Sequence, residues 1–333
     1  SNSPIRAPSQ NAAKSVAADL KPLAADHPQI AAVLSANGAP REFLLAALAL
    51  SPYLRETALS DPESLALAVS LPAPYLVAKT IEEARACWQG ADGVLASEAE
   101  LMRDLRRAKR RVSLTLALHD LARLINARHT TAALSDLADA ALGAAFDHLL
   151  RGGHEAGKLA LPDPENPCES SGLIVLGMGK HGARELNYSS DIDIVVFFDP
   201  EAGVVCDRDE AGEIFARMVR RLVRIMQERT GDGYVFRTDL RLRPDPGSTP
   251  LAFPLDAAMN YYESRGQNWE RAAYIKARPV AGDIGAGERF LKELVPFVFR
   301  KYLDFAAISD IHSIKRQIHA HRGFGDIAVK GHN

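Results

Sequence analysis

Two carboxylates separated by one residue are the part of this sequence best suited to chemistry. Asp191 and Asp193 stand at the start of an apolar run that predicts a β-strand over residues 192–198. Residues two apart on a strand share one face, so both carboxylates lie together while Ile192 and Ile194 pack on the other face. Two carboxylates this close repel each other unless a cation lies between them. Oxygen ligands of this kind suit Mg²⁺, which proteins usually hold with one or two carboxylates and substrate phosphates.

A glycine-rich turn precedes this pair and could hold a phosphate. It follows the apolar run at residues 173–176, which predicts a buried strand. Glycine lets backbone N–H groups approach a phosphate closely, and a lysine in the turn adds positive charge. Two serines directly before the carboxylates add hydroxyl donors at the entrance to the next strand. The candidate nucleotide- or phosphate-binding residues of this stretch are Gly177, Gly179, Lys180, Ser189 and Ser190.

Alternating residues from 234 to 242 predict a third strand with one apolar face and one charged face. The apolar face would carry Tyr234, Phe236, Thr238, Leu240 and Leu242, and the other face Val235, Arg237, Asp239, Arg241 and Arg243. Because burying the arginines would be costly, we expect the charged face to line a wet groove. Arginine can bind phosphate through paired hydrogen bonds. The alternative is a hairpin face tied by Arg–Asp ion pairs.

Three carboxylates, a glycine turn and a row of arginines together predict a metal-assisted phosphoryl or nucleotidyl transfer site. A dinucleotide site is the alternative, since three glycines at G-x-G-x-x-G spacing follow a strand and Asp199 lies near the ribose-binding offset. That alternative leaves the carboxylate pair unexplained. A Walker-type phosphate loop fits less well, because His181 follows Lys180 where Ser or Thr is needed.

Helices must support these strands, and the first part of the chain is rich in them. The clearest helix has an apolar stripe made of Leu101, Leu105, Ala108 and Val112. Its many basic residues lie mostly off that stripe, which is typical of a solvated face; docking of an acidic partner is the alternative. A second helix is predicted at residues 131–150, followed by a break at the glycine pair 152–153 and a proline-rich linker.

Beyond the linker, strands alternate with helices. Spacing predicts a helix at residues 210–229 that stops at Gly231, and a return to helix from Glu288 to about His321. The expected fold class is therefore α+β. A mainly helical N-terminal region, residues 1–160, precedes a domain at residues 165–333 that has a small mixed sheet and then helices.

Composition excludes several classes of protein. The 333 residues are 47% hydrophobic and 25% charged, which is ordinary for a globular protein and excludes global disorder. With 40 basic and 42 acidic residues the net charge is −2, so the chain is not a bulk electrostatic nucleic-acid binder. Three scattered cysteines, the lack of a membrane-spanning apolar run and the lack of a secretory signal predict a cytoplasmic protein.

Longer motifs carry a resemblance to a known family. Residues 177–193 read GMGKHGARELNYSSDID, and three later stretches read DLRLRP from residue 239, YYESRGQNWER from 261 and YIKARP from 274. In order and spacing these motifs resemble those of the bifunctional glutamine synthetase adenylyltransferase/adenylyl-removing enzymes, which are similar to DNA polymerase β in their nucleotidyltransferase fold. The resemblance is strong from about residue 172 onward and implies a polymerase β-like nucleotidyltransferase domain there.

The resemblance also implies an activity. Family members carry two such domains: the N-terminal one removes AMP from a glutamine synthetase tyrosine by phosphorolysis, giving ADP, and the C-terminal one adds AMP from ATP. The motif NYSSDID at residues 187–193 resembles the adenylyl-removing half, whereas the adenylylating half more often reads GSDLD. The alternatives are the adenylylating half itself and a non-catalytic module that docks the synthetase or a PII signal protein. Because the family continues with a glycine-rich segment, we expect the domain to be truncated at its C-terminus.

Roles for single residues follow from the same resemblance. The acids would bind Mg²⁺ and act in catalysis, and the basic residues would meet phosphates or add charge near the nucleotide. The acids are Asp191, Asp193 and Asp239, and the basic residues are Lys180, Arg241, Arg243, Lys276 and Arg278. For the last two, a solvated edge is the alternative. The implied partners are glutamine synthetase as protein substrate, a PII signal protein, ADP or ATP, and phosphate, with neither nucleic acid nor a membrane.

Overall fold

The computed structural model describes residues 5–90 and 93–299, which begin with a series of helices. Their bounds are α1 Gln10–Asp26, α2 Pro28–Ser35, α3 Ala39–Leu50, α4 Pro52–Ser60, α5 Pro62–Ser70, α6 Ala73–Ala86, α7 Glu98–Leu121 and α8 Ala127–Glu155. Proline stands at the first or second position of each helix from α2 to α6. Because proline has no N–H and its φ suits the first helical turn, it starts these helices without losing a hydrogen bond.

Helix α8 is longer than the sequence predicted. It continues through the glycine pair at residues 152–153, where we predicted a break between two regions. The reason is close packing, since a Cβ on Gly153 would lie 2.9 Å from a methyl carbon of Leu159 and 3.1 Å from that of Met218. Gly153 lets the segment around Leu159 lie against the helix, and the pair of glycines does not end it.

Helix α8 also runs beside the segment that contains the predicted glycine turn. Successive side chains of the helix contact successively earlier residues of that segment. The contacts are Ser135 with Leu186, Asp136 with Arg184, Asp139 with His181, Asp147 with Cys168 and Arg151 with Pro164. The helix and residues 164–186 therefore run antiparallel along their shared length.

Within the described residues, the strands form a small mixed sheet in the order β3–β2–β1–β5, and β4 also pairs with β2. Their bounds are β1 Leu173–Gly177, β2 Ile192–Phe198, β3 Thr238–Asp239, β4 Ala252–Pro254 and β5 Arg278–Gly282. β1 is antiparallel to β2 and β5, whereas β3 and β4 are parallel to β2. The helices of this part are α9 Gly179–Gly182, α10 Ala211–Gln227, α11 Leu255–Ser264, α12 Asn268–Tyr274 and α13 Ile284–Val298. The α+β class and the first two strands confirm the sequence prediction.

Alternation along β2 decides which of two hydrophobic clusters each side chain joins. Ile192 and Ile194 pack with side chains of α6, α7, α8 and α10, as predicted. Val195 and Phe197 pack on the opposite face of the sheet with α11 and α13. The first cluster draws on residues before and after 160. The division into residues 1–160 and 165–333 stays a prediction, and one continuous core crosses that boundary.

The third strand is much shorter than the predicted span of residues 234–242, since β3 has only two residues. Val235 and Phe236 are both buried, and the amides of both donate to the carbonyl of Met226 near the end of α10. In the predicted strand, neighbouring residues point to opposite faces, and Val235 would lie on the exposed, charged face. Its burial beside Phe236 contradicts that arrangement. The chain here caps a helix, and the predicted alternation of faces is wrong.

The basic residues of α7 do not form the fully solvated face that we predicted. Arg106 and Lys109 are buried, with only 1% and 8% of their surface exposed. The guanidinium of Arg106 donates to the carbonyls of Glu228 and Gly233, and Nζ of Lys109 lies 3.9 Å from the centre of the Phe236 ring. The turn after α10 leaves carbonyl groups in need of donors, and α7 supplies them.

The end of one predicted helix and the start of another, predicted at Glu288, also differ. Helix α10 ends at Gln227, before Gly231, which we predicted as its stop. Helix α13 begins at Ile284, and the predicted continuation to about His321 lies outside the described residues. In the described ranges we find no helix with the length and apolar character that a membrane crossing requires.

Candidate functional site

Three acidic residues meet at one edge of the sheet. Asp191 immediately precedes β2 and is exposed, whereas Asp193 is the second residue of β2 and is half-buried. β3 pairs with β2 in parallel so that Asp239 is directly opposite Asp193. Paired strands lie about 4.8 Å apart, so these two residues are close neighbours. The structure thus brings together all three acids that the sequence singled out.

The glycine turn, residues 177–183, lies against this acidic group. The amide of Met178 donates a hydrogen bond of 2.8 Å to the carbonyl of Asp193. Gly179 has a φ of +52°, and a Cβ at this position would lie 2.8 Å from Oδ2 of Asp193. A side chain there would displace the carboxylate, so the close approach requires glycine. Lys180 is exposed, and its contact with a phosphate stays a prediction.

Two of the acids are paired with arginines of the segment at residues 234–249, which we call the arginine segment. Nε of Arg237 donates to Oδ1 of Asp191 at 2.5 Å. Arg241 donates to Asp239 through its backbone N–H at 2.9 Å and through Nε at 3.0 Å. Hydrogen bonds from the Arg241 side chain lower the pKa of Asp239. The Arg–Asp ion pairs that the sequence left as an alternative are present on this edge.

Two of the expected phosphate ligands make other contacts. The guanidinium of Arg243 donates to the carbonyls of Leu240 at 2.9 Å and Pro246 at 2.6 Å, which closes the loop of the arginine segment. Nζ of Lys276 lies 2.9 Å from a carboxylate oxygen of Glu185 at the surface. The first contact shapes a loop and the second is an exposed ion pair, so the roles of Arg243 and Lys276 at a phosphate stay predictions.

The two serines before β2 belong to a turn closed by Asn187. Oγ of Ser190 donates to Oδ1 of Asn187 at 2.9 Å and accepts from its N–H at 3.1 Å. The amide of Ser189 donates to the same Oδ1 at 3.2 Å, and its carbonyl accepts from Arg237 at 2.7 Å. These bonds set the path of the chain into β2. Donation from either hydroxyl to a phosphate stays a prediction.

Polar residues behind the glycine turn complete the site, and sequence reasoning missed the central one. Asp139 on α8 accepts from Nε2 of His181 at 2.7 Å and from Arg278 at 2.6 Å. We predicted Arg278 near the nucleotide or phosphate, and the structure pairs it with this carboxylate. Asp139 lies 42 residues from His181 and 139 from Arg278 in the sequence, so no local motif marks it.

The three acids suit Mg²⁺ by the chemistry of their donor atoms, because this ion prefers carboxylate oxygens. Across residues 5–90 and 93–299, no three His, Cys, Asp or Glu side chains are already gathered as a ligand set. Two of the acids are instead held by the guanidinium groups of Arg237 and Arg241. A guanidinium balances part of the negative charge that a metal ion would balance, so the binding of Mg²⁺ by these acids stays a prediction.

Comparison with known proteins agrees with the motifs. The family model of the glutamate-ammonia ligase adenylyltransferases matches residues 42–293. The chain belongs to this family. The match begins in α3 and ends in α13, so the part that the family shares includes both the helical region and the sheet.

Curated relatives are similar along almost the whole chain. A protein of Rhizobium meliloti (strain 1021) is 62% identical over 330 residues, which cover 99% of this chain and 34% of the relative. A protein of Agrobacterium fabrum is 63% identical over 329 residues, which cover 99% of this chain and 33% of the relative. A protein of Brucella suis is 54% identical over 320 residues, which cover 95% of this chain and 32% of the relative. All three are named bifunctional glutamine synthetase adenylyltransferase/adenylyl-removing enzyme, which confirms the resemblance. The chain spans about a third of their length.

Proposed function

We propose that the chain is an adenylyl-removing unit, which takes AMP from an adenylylated tyrosine of glutamine synthetase by phosphorolysis. The observation that carries the proposal is the convergence of Asp191, Asp193 and Asp239 beside a glycine turn. Acids in this arrangement serve metal-assisted transfer of phosphoryl and nucleotidyl groups. Removal rather than addition is supported by the motif at residues 187–193, which resembles the removing half of the family.

The proposed reaction exchanges one phosphorus–oxygen bond for another. An oxygen of inorganic phosphate forms a bond to the phosphorus of AMP, and the bond from that phosphorus to the tyrosine oxygen breaks. The attacking hydrogen phosphate gives up its proton and the released phenolate takes up a proton, so the products are ADP and unmodified tyrosine. The phenol of tyrosine has a pKa near 10, which makes its oxygen a fair leaving group.

The chain's own residues would bind and orient the reacting groups. The glycine turn presents backbone N–H groups to a phosphate, with Lys180 beside them. The side chain of Arg241 is 84% exposed, so it can leave Asp239 and bind the incoming phosphate. Asp239 would then polarise the attacking or leaving oxygen. Asp191 and Asp193 would hold Mg²⁺, which when bound supplies positive charge to the transferring group.

The test is phosphate-dependent release of ADP from adenylylated glutamine synthetase in the presence of Mg²⁺. We expect ADP from this chain and none from Asp193→Asn, which keeps the size of the side chain but removes its charge. Circular dichroism of the variant should match that of the parent chain. ADP release by the variant at the parent rate, or loss of its fold, would contradict the assignment of Asp193.

The alternatives predict different products in parallel reactions. Labelled synthetase formed from ATP and unmodified synthetase, without ADP release, would identify the chain as an adenylylating unit. Co-elution with the synthetase without turnover in either direction would identify a docking module. From the family resemblance we further propose a PII signal protein as a regulatory partner and the cytoplasm as the location.

A further inference from the structure

A partly buried polar cluster links helix α8 to the glycine turn. Asp139 accepts hydrogen bonds from Nε2 of His181 through Oδ1 and from Arg278 through Oδ2. The side chain of His181 is fully buried, and those of Asp139 and Arg278 are 19% and 27% exposed. Hydrogen bonds to a charged group are strong in such an environment. One carboxylate therefore joins α8, the turn and β5.

The ring of His181 lies directly against the backbone of the turn. A Cβ built on Gly177 would lie 3.1 Å from Nδ1 of this ring. Nδ1 is buried, and it has no hydrogen-bond partner in the described part of the chain. An unpaired buried nitrogen costs free energy, so contacts of Nδ1 do not explain the orientation of the ring. The hydrogen bond to Asp139 at the other nitrogen explains it.

The turn has no room to adjust on its other side. Arg278 in β5 is paired with Gly177 in β1, and its guanidinium donates to the carbonyls of His181 and Gly182, both at 3.4 Å. A Cβ on Gly182 would lie 2.0 Å from the carbonyl oxygen of Lys276. The turn is thus confined between the His181 ring and the segment that leads into β5, and the two side chains that confine it are the partners of Asp139.

The confined backbone is the part of the turn that meets the acids. Met178 donates to the carbonyl of Asp193, and Gly179 lies against the Asp193 carboxylate. We propose that Asp139 is a positioning residue: through His181 and Arg278 it fixes the glycine turn in the orientation that serves the phosphate. The effect on phosphate rests on the proposed function, whereas the effect on the conformation of the turn does not.

The kinetic test compares Asp139→Asn with Asp136→Asn in the ADP-release reaction. Asp136 is a matched control, because it lies one turn earlier on α8 and pairs with the exposed Arg184. Asn at position 139 presents an amide NH₂ group to donors, so we expect the KM for inorganic phosphate to rise roughly tenfold to a hundredfold. The KM of Asp136→Asn for inorganic phosphate should stay within about twofold of the parent value. A purely structural role would lower the fraction of active protein and leave KM unchanged.

A second readout needs no turnover. The parent chain and both variants are labelled with ¹⁵N-glycine and compared by NMR. Relative to the parent, the amide resonances of Gly177, Gly179 and Gly182 should shift in Asp139→Asn and stay in place in Asp136→Asn. If the parent chain releases no ADP but these shifts appear, the proposed function fails and the positioning role stands. If the three resonances do not move, or KM is unchanged, the positioning role is wrong. Should Asp139→Asn not fold, Arg278→Lys tests the same resonances, because it keeps a cation beside Asp139 but loses the paired donors.

Discussion

The glycine turn and the arginine segment flank the same three acids, but different forces hold them. Most of the turn is buried, including Gly177 and Gly182, and Asp139 lies behind it. The arginine segment meets the acids through Arg237 and Arg241, whose side chains are 53% and 84% exposed. Exposed ion pairs contribute about 0–1 kcal/mol, whereas crowding of a packed backbone costs more. The backbone of the glycine turn is therefore confined by packing, whereas the exposed side chains of Arg237 and Arg241 are held to the acids by weak ion pairs.

The largest effect is expected where the packing of the glycine turn is tightest. In Gly182→Ala the new methyl group would lie 2.0 Å from the carbonyl oxygen of Lys276 and 2.5 Å from that of Gly177. Because both are backbone atoms, the turn and the segment before β5 must separate, and we expect the free energy of unfolding to fall by about 3 kcal/mol. Urea unfolding followed by circular dichroism measures this loss.

The control for this substitution is Gly231→Ala, near the arginine segment. A Cβ on Gly231 has no described atom within 4 Å. We expect its free energy of unfolding to stay within about 0.5 kcal/mol of the parent value. An equally small change in Gly182→Ala would show that the glycine turn is not confined.

The second effect tests the cost of burying a charged group beneath the arginine segment. Lys109 of α7 lies beside Phe236 of this segment, and burial lowers the pKa of its ammonium group from 10.5 to about 7. Between these pH values the unfolded chain binds a proton that the folded chain lacks, so parent stability rises with pH. Lys109→Met lacks this rise. We expect it to be more stable than the parent by roughly 2 kcal/mol near pH 6, and equally stable near pH 10.

Urea unfolding of both proteins at several pH values measures this difference. The methionine keeps the length of the lysine stem, so the packing around Phe236 changes little. A stability difference that stays constant from acid to alkaline pH would show that the Lys109 charge is not the cause. Burial of the ammonium group against Phe236 would then not be what limits the stability of the parent chain.

The smallest effect is expected at Arg241. Its hydrogen bonds lower the pKa of Asp239, so the pair stabilises the fold above the usual carboxyl pKa. That contribution is lost as the pH falls through the lower value of the folded state. Arg241→Gln should raise the pKa of Asp239 toward its ordinary value and change the free energy of unfolding by less than about 1 kcal/mol at neutral pH. A ¹³C NMR titration of the Asp239 carboxyl group and urea unfolding measure the two quantities. A loss as large as that of Gly182→Ala would remove the distinction between the flanks.

Local periodicity was sufficient to predict the strand that begins at the acid pair. β2 has the predicted bounds, Ile192–Phe198. Its apolar residues face hydrophobic clusters on both sides of the sheet, so a buried strand is the conformation that satisfies all of them. The glycine turn was equally readable, because Gly179 meets Asp193 within the same short motif.

Periodicity failed where distant groups decide the conformation. Val235 and Phe236 both point inward because their amides cap α10, which the alternation of the sequence does not reveal. Arg106 is buried because it donates to the carbonyls of Glu228 and Gly233, which lie 122 and 127 residues away. Contacts over such separations depend on the packing of helices, and a local pattern carries no information about them.

The antiparallel pairing of α8 with residues 164–186 limits which insertions and deletions this chain can accept. One residue inserted between Asp139 and Asp147 would rotate every later position of the helix by about 100° and advance it by about 1.5 Å. Asp139 would keep His181, whereas Asp147 and Arg151 would turn away from Cys168 and Pro164. A deletion would have the same effect in the opposite sense. The spacing between the contacting residues of α8 is therefore fixed by the segment that runs beside the helix.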